Sequence, residues 1–247
     1  MSKVNKATFF GVPAAVRREL ARSAKDGGPR RWAAAMAHEH VWGGIGVRES
    51  GDGVSGSFYD DFPASVVGDV PASAKFLDLQ GQAPDLPEVE RLRHLEVLCV
   101  RPVSRTLFRA IANLPKLRVL VLGGPVRTLA GLRGLSQLTH VKMEVTAGAN
   151  LRPLARLPRL RTVLLEVRGP GRFNFAQLGK AAQLRGLAIA PLRDRDPLQV
   201  PTLRPLAAFK GLAQLDLRML RSNDRSLQWL SNLPLTRLSV SNSFSTA

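Results

Sequence analysis

The chain has one cysteine, Cys99, among 247 residues. A lone thiol excludes an internal disulfide framework and a cysteine-based zinc cluster, and it makes a reducing, cytoplasmic setting the expectation. No apolar run reaches the roughly eighteen residues that a membrane-spanning helix requires. The first residues, MSKVNKATFFGVPAAVRREL, contain neither a long apolar stretch nor a clean cleavage site, so no secretory leader is expected. Aromatic residues are 6% of the chain, with almost no aromatic interleaving across its basic part, and there is no tight run of five or more basic residues. Both features weaken a nucleic-acid reading. The sequence also lacks a G-x-S-x-G elbow, a phosphate-binding P-loop and an H-E-x-x-H pair.

Acidic residues are scarce: 19 Asp plus Glu face 36 Lys plus Arg, a net charge of +17. The excess is not uniform. Residues 1–70 carry nine basic and eight acidic side chains, net +1, so residues 71–247 carry +16. Of the basic residues 28 are Arg and 8 are Lys, and Arg is favoured where carboxylates or phosphates are gripped in a bidentate fashion. Coding bias gives the same profile, because Arg rises with Ala, Gly and Pro in a GC-rich genome. Hydrophobic residues at 45% and charged residues at 22% are ordinary globular values.

From about residue 71 the chain repeats. The frame is L-x-x-L-x-x-L-x-x-L-x-x-L-x-L, with Ala, Val, Phe or Met as substitutes. Its last two positions are Leu77/Leu79, Leu98/Val100, Leu120/Leu122, Val141/Met143, Val163/Leu165, Leu187/Ile189, Leu215/Leu217 and Leu238/Val240. The final anchors recur at steps of 21, 22, 21, 22, 24, 28 and 23 residues. A fixed period of this size predicts a solenoid. The L-x-L end has period two, so both residues point to one side of a short strand. Leu129, Leu132, Leu135 and Leu138, like Leu151, Leu154, Leu157 and Leu160, recur every third residue. That spacing predicts 3₁₀ turns, since an α-helix alternates three and four.

Segments such as LRHLEVLCV (92–100), LPKLRVLVL (114–122), LSQLTHVKM (135–143) and LPRLRTVLL (157–165) resemble leucine-rich repeats, the short internalin-like kind above all. The resemblance implies an α/β solenoid: a parallel concave sheet of about eight short strands, 3₁₀ or single-turn helices on the convex side, and a small N-terminal helical cap. It also implies a bacterial protein whose concave face binds a partner. The family usually places Asn or Cys just after the strand to bond the turn backbone. This chain has Gly123, Gly124 and Pro125, or Ala147 and Gly148, there.

Two domains are expected, a cap over 1–70 and repeats over 71–247. Val16, Leu20 and Ala24 share a helix face, and Trp32 and Met36 lie four apart in a second helix. A glycine-rich loop or hairpin follows. The 28-residue step carries an insert, PLRDRDPLQVPT (191–202), which places Arg193, Asp194, Arg195 and Asp196 on a candidate recognition loop. His38-Glu39-His40 lacks a third metal ligand and reads as a helix end. Asp52, Tyr59, Asp60 and Asp61 do not fit a calcium loop and read as turn chemistry. Cys99 has no evident base beside it. No enzyme activity, cofactor or metal is expected.

The residues between and beside each L-x-L pair point away from the leucine core. They include Phe76, Val97, Cys99, Val119 and Val121, an apolar strip, then His140, Lys142, Glu144, Leu164 and Glu166. An apolar patch with polar flanks is the composition of a protein-binding site, unless the N-terminal region folds over it. Charges on this face balance: Arg101, Lys142, Arg218 and Arg237 against Asp78, Glu144, Glu166 and Asp216. The positive excess therefore lies on the convex side, edges and turns. The first expectation is a monomeric, non-enzymatic module binding a protein partner on the concave face. The second is an electrostatic binder of nucleic acid or acidic protein through the arginine-rich surfaces. A third is a repeat array with an active N-terminal domain.

Overall fold

The computed structural model describes residue 72, the strand 76–80, and residues 89–241 apart from 102, 104–105, 127, 170, 180 and 193–196. The expected cap, the His38–His40 and Asp52–Asp61 clusters and the loop at 193–196 lie outside the described residues.

Each repeat contributes one strand: β1 (Phe76–Gln80), β2 (Val97–Arg101), β3 (Val119–Pro125), β4 (His140–Thr146), β5 (Thr162–Arg168), β6 (Gly186–Pro191), β8 (Gln214–Arg218) and β10 (Arg237–Ser241). They form one parallel eight-stranded sheet in chain order. The register is the one the sequence repeat predicts: Leu98 faces Leu120, Val141 faces Val163, Leu187 faces Leu215.

Opposite the sheet the chain turns in short pieces. Two are single-turn α-helices, α1 (Leu107–Ile111) and α2 (Arg152–Ala155). Four are 3₁₀ turns at Ala130–Gly134, Phe175–Leu178, Arg204–Ala208 and Gln228–Asn232. The three-residue leucine spacing has a direct cause. The amides of Leu132, Leu135 and Leu138 donate to the carbonyls of Leu129, Leu132 and Leu135 at 2.9–3.1 Å, so the backbone steps by threes and every leucine points inward.

These side chains and the inward strand residues form one continuous buried core. At the two longest repeat steps the wider gap is filled by rings rather than leucines. Phe173 and Phe175 meet edge to face at 5.1 Å, and Phe209 is fully buried.

Three features depart from the sequence reading. First, β3, β4 and β5 have seven residues each, longer than the L-x-L pair implied. The extension does the work of the missing Asn. Beyond the strands, the amides of Val126, Ala147 and Leu192 donate to the carbonyls of Glu144, Arg168 and Val167, so turn backbone is satisfied by backbone. Gly124, at φ 104°, lies within β3 where the register with β4 shifts between Leu122 and Pro125. Second, the insert is not all loop: Leu198–Val200 is β7, which pairs in parallel with β9 (Leu220–Ser222). Leu198 and Val200 are buried while Gln199 is exposed, the period-two pattern of a half-buried strand. Third, side-chain acceptors appear where no Asn ladder runs. Gln177 Oε1 accepts from the Leu151 amide at 2.7 Å, and Asp224 takes Thr202, Leu203 and Ser222 as donors.

Candidate functional site

The sheet has a core face and an outer face. Register places the outer residues in rows across the strands. One row is Val97, Val119, His140, Thr162, Gly186, Gln214 and Arg237. The next is Cys99, Val121, Lys142, Leu164, Ala188, Asp216 and Ser239. A shorter third row holds Glu144, Glu166 and Ala190. Phe76 lies in β1, in register with Val97. Register therefore sets Val97, Cys99, Val119, Val121, His140, Lys142, Glu144, Leu164 and Glu166 on neighbouring positions of one face, with Lys142 between Val121 and Leu164.

Water reaches this surface less than period two alone suggests. Val97, Cys99, Val119, Val121 and Leu164 are 3–9% exposed, and the polar His140, Lys142 and Glu144 are buried with them. The face opens toward β8, where Gln214, Asp216 and Arg218 are half-buried. Alternation decides which side of a strand a side chain occupies, but not whether that side is wet.

Buried charge requires partners, and the site supplies them. Lys142 Nζ lies 3.0 Å from Glu166 Oε1, and Glu144 Oε1 accepts from Arg168 Nε. Glu144 and Glu166 are cross-strand neighbours, so their like charges are each offset by one cation. The hydrogen bond to Glu144, and then its charge, hold the Arg168 guanidinium above its ordinary value, so it stays charged throughout the range in which proteins fold. The quartet is neutral and graded in exposure: the side chains of Lys142 and Glu144 are inside, whereas Glu166 is 28% and Arg168 48% exposed. Arg168 was missing from the sequence reading. Its signal was available, since it follows Glu166 by two residues, but only a seven-residue strand puts it on this face.

His140 Nδ1 sits 2.8 Å from Thr139 Oγ1. Cys99 is buried, with Asp78 and Val121 as its register neighbours. Among the described residues no three His, Cys, Asp or Glu side chains are grouped to hold a metal ion. Among the described residues, too, no helix is long and apolar enough to cross a membrane.

A parallel sheet with one strand per repeat, a leucine core and 3₁₀ turns on the opposite side define the leucine-rich repeat fold. A solved structure agrees in fold. Internalin C2 from Listeria monocytogenes superposes with a TM-score of 0.54 at 20% identity, over 70% of this chain and 74% of that one. A second internalin from the same organism, inlF, matches at 18% identity and a TM-score of 0.47, over 69% of this chain and 54% of the other. No protein-family model matches the chain, and no curated protein sequence does. The fold is thus leucine-rich repeat, of the internalin-like kind.

Proposed function

We propose that the chain is a non-enzymatic protein-binding module that meets its partner on the outer face of the sheet. The supporting observation is the neutral quartet Lys142, Glu144, Glu166 and Arg168, set in a face otherwise lined by Val119, Val121 and Leu164. Pure core needs no charges, and placing them here costs desolvation. Paired charges beside apolar side chains set orientation and reject mismatched surfaces, which is how interfaces gain specificity. Glu166 and Arg168 remain reachable and set the register of docking, while the buried valines and Leu164 pack the strands that hold them in place.

The test is affinity capture by the full chain from nuclease-treated lysate of its source, washed at low and high salt, with mass spectrometry. Wild type retains one stoichiometric protein at high salt. Glu166→Gln, which keeps an acceptor for Lys142, and Arg168→Gln, which keeps a donor for Glu144, each lose it, and a melting midpoint taken for each variant separates lost docking from lost folding. Retention of the same protein by both variants, or nothing retained by wild type, overturns the proposal.

A further inference from the structure

With Arg168 the outer face carries one positive charge in excess, so most of the +16 of residues 71–247 sits elsewhere. Part of it forms a line. The chain enters each strand through a residue stacked on its counterpart in the preceding repeat. The amides of Arg118, Thr139, Arg161, Arg185, Ala213 and Thr236 donate to the carbonyls of Glu96, Arg118, Thr139, Arg161, Arg185 and Ala213, at 2.7–2.9 Å. These residues are one column along the edge where the strands begin. A second column, two residues earlier, is tied together by side chains: Lys116 Nζ lies 3.1 Å from His94 Nδ1, and Arg159 donates to Gln137 Oε1 at 2.6 Å.

Five cations, Lys116, Arg118, Arg159, Arg161 and Arg185, stand in these columns, and all are exposed. Glu96, at its first repeat, is the one acidic residue of the two columns. The arginines are held by neutral acceptors rather than carboxylates. Arg161 donates to the Gln183 carbonyl, Arg159 to the Gln137 amide, and Arg185 to the Leu184 carbonyl. Gly211 offers the room in which the Arg185 guanidinium lies, because a Cβ there would sit 1.4 Å from its Nη1. The ion pairs between described residues involve Lys142, Arg168, Arg204 and Arg218, none of them on this edge. The edge is thus a row of exposed positive charges, and these ion pairs do not include its cations.

We propose that this edge is a binding site for the phosphodiester backbone of a double-stranded nucleic acid. From β3 to β6 the row crosses three strand spacings, about 14 Å at ~4.8 Å each, a length over which a duplex strand presents several phosphates. Arginine forks retain N–H donors beyond those spent on carbonyls, and they match phosphate oxygens in bidentate fashion. Neither column contains a Phe, Tyr or Trp to stack an unpaired base, which disfavours a single strand. An acidic peptide would have to be ordered onto the row residue by residue, whereas a duplex arrives stiff and regularly charged. Binding is sequence-independent, since nothing in the row reaches into a groove to read base edges.

The test uses the full chain with fluorescent 24-base-pair duplexes of DNA and of RNA of arbitrary sequence, titrated across a salt series. About five phosphate contacts give a slope of log affinity on log salt near −4.5, roughly a 500-fold loss between 50 and 200 mM. Replacing Lys116, Arg118, Arg159 and Arg161 together by Ala lowers that slope in magnitude by about 3 to 4 and weakens binding at least tenfold. Replacing Arg133, Arg152 and Arg156, exposed on the opposite side of the repeats, by Ala changes affinity less than the edge variant does. Melting curves of both variants close to wild type establish that they fold. Saturable binding of either duplex with this pattern supports the site. Three outcomes overturn it: no duplex binding at 50 mM salt, equal losses from the two variants after correction for charge number, or displacement of duplex by polyglutamate at equal charge concentration. Glu166→Gln, on the outer face, leaves duplex binding no weaker than wild type, so this proposal and the protein-binding one fail separately.

Discussion

Gly131 and Gly148 offer the same substitution in opposite surroundings. Gly131 lies in the 3₁₀ turn Ala130–Gly134, where α1 of the preceding repeat packs against it. A Cβ at position 131 would lie 2.3 Å from Phe108 Cβ and 2.7 Å from Phe108 Cγ. Carbon atoms in contact prefer about 3.5–4.0 Å, so one turn must move by more than 1 Å relative to the other. Rotating the phenyl ring gives no relief, because Phe108 Cβ is fixed to the backbone. Overpacking of this kind costs about 1–3 kcal/mol, and the fixed position of both atoms puts Gly131→Ala near 2 kcal/mol or above. At roughly 2–4 °C per kcal/mol for a chain of this size, the melting midpoint falls by about 4–8 °C. Gly148 has nothing within 4 Å of its Cβ position and does not adopt positive φ. Gly148→Ala therefore acts mainly on the unfolded chain, removing conformational freedom worth about 0.4–1 kcal/mol, and raises the midpoint by about 1–3 °C. Thermal and urea unfolding by circular dichroism read both. A Gly131→Ala midpoint within 1 °C of wild type, or equal losses at the two positions, would refute close packing between neighbouring turns.

Asp224→Ala removes the acceptor for the Leu203 amide and the Thr202 and Ser222 hydroxyls, and it should cost about 1–3 kcal/mol by urea denaturation; an unchanged midpoint means the three donors find other partners. Cys99, 3% exposed, should react with a thiol reagent about 10²-fold slower in native buffer than in concentrated guanidinium; equal rates would place its row of the sheet in water. A double-mutant cycle on Lys142→Met and Glu166→Gln should yield about 0.5–1 kcal/mol of coupling, the low end for a buried pair because Glu166 keeps solvent contact; zero coupling would make the contact incidental.

The sequence made the array legible because burial and spacing coincide in it. Leu129, Leu132 and Leu135 can share one interior only if the backbone steps by threes, and Leu120 and Leu122 only if it steps by twos. Repeats of nearly constant length then leave one way to align the strands, so Leu98 pairs with Leu120 with no further information. The insert was harder. Leu198, Gln199 and Val200 are too few to announce a strand, and β7 exists because Leu220–Ser222 lies beside it. The site was half legible: period two puts the residues from Val97 to Glu166 on the outer side, but Arg168 lies beyond the L-x-L pair, and burial of the strip depends on the assembled repeats.

What the sequence determined alone is therefore everything local or periodic: the repeat length, the inward leucines, the turn type and the outward set from Val97 to Glu166. Tertiary structure decided what depends on residues twenty or more positions apart. It paired Lys142 with Glu166 and Arg168 with Glu144, and it buried the outer valines. It also drew Arg118, Arg161 and Arg185 into a single column. The reason is physical. Periodicity fixes the direction in which a side chain points. Its solvent, its ion partners and its neighbouring charges are properties of other repeats, and these come within reach only when the strands stack.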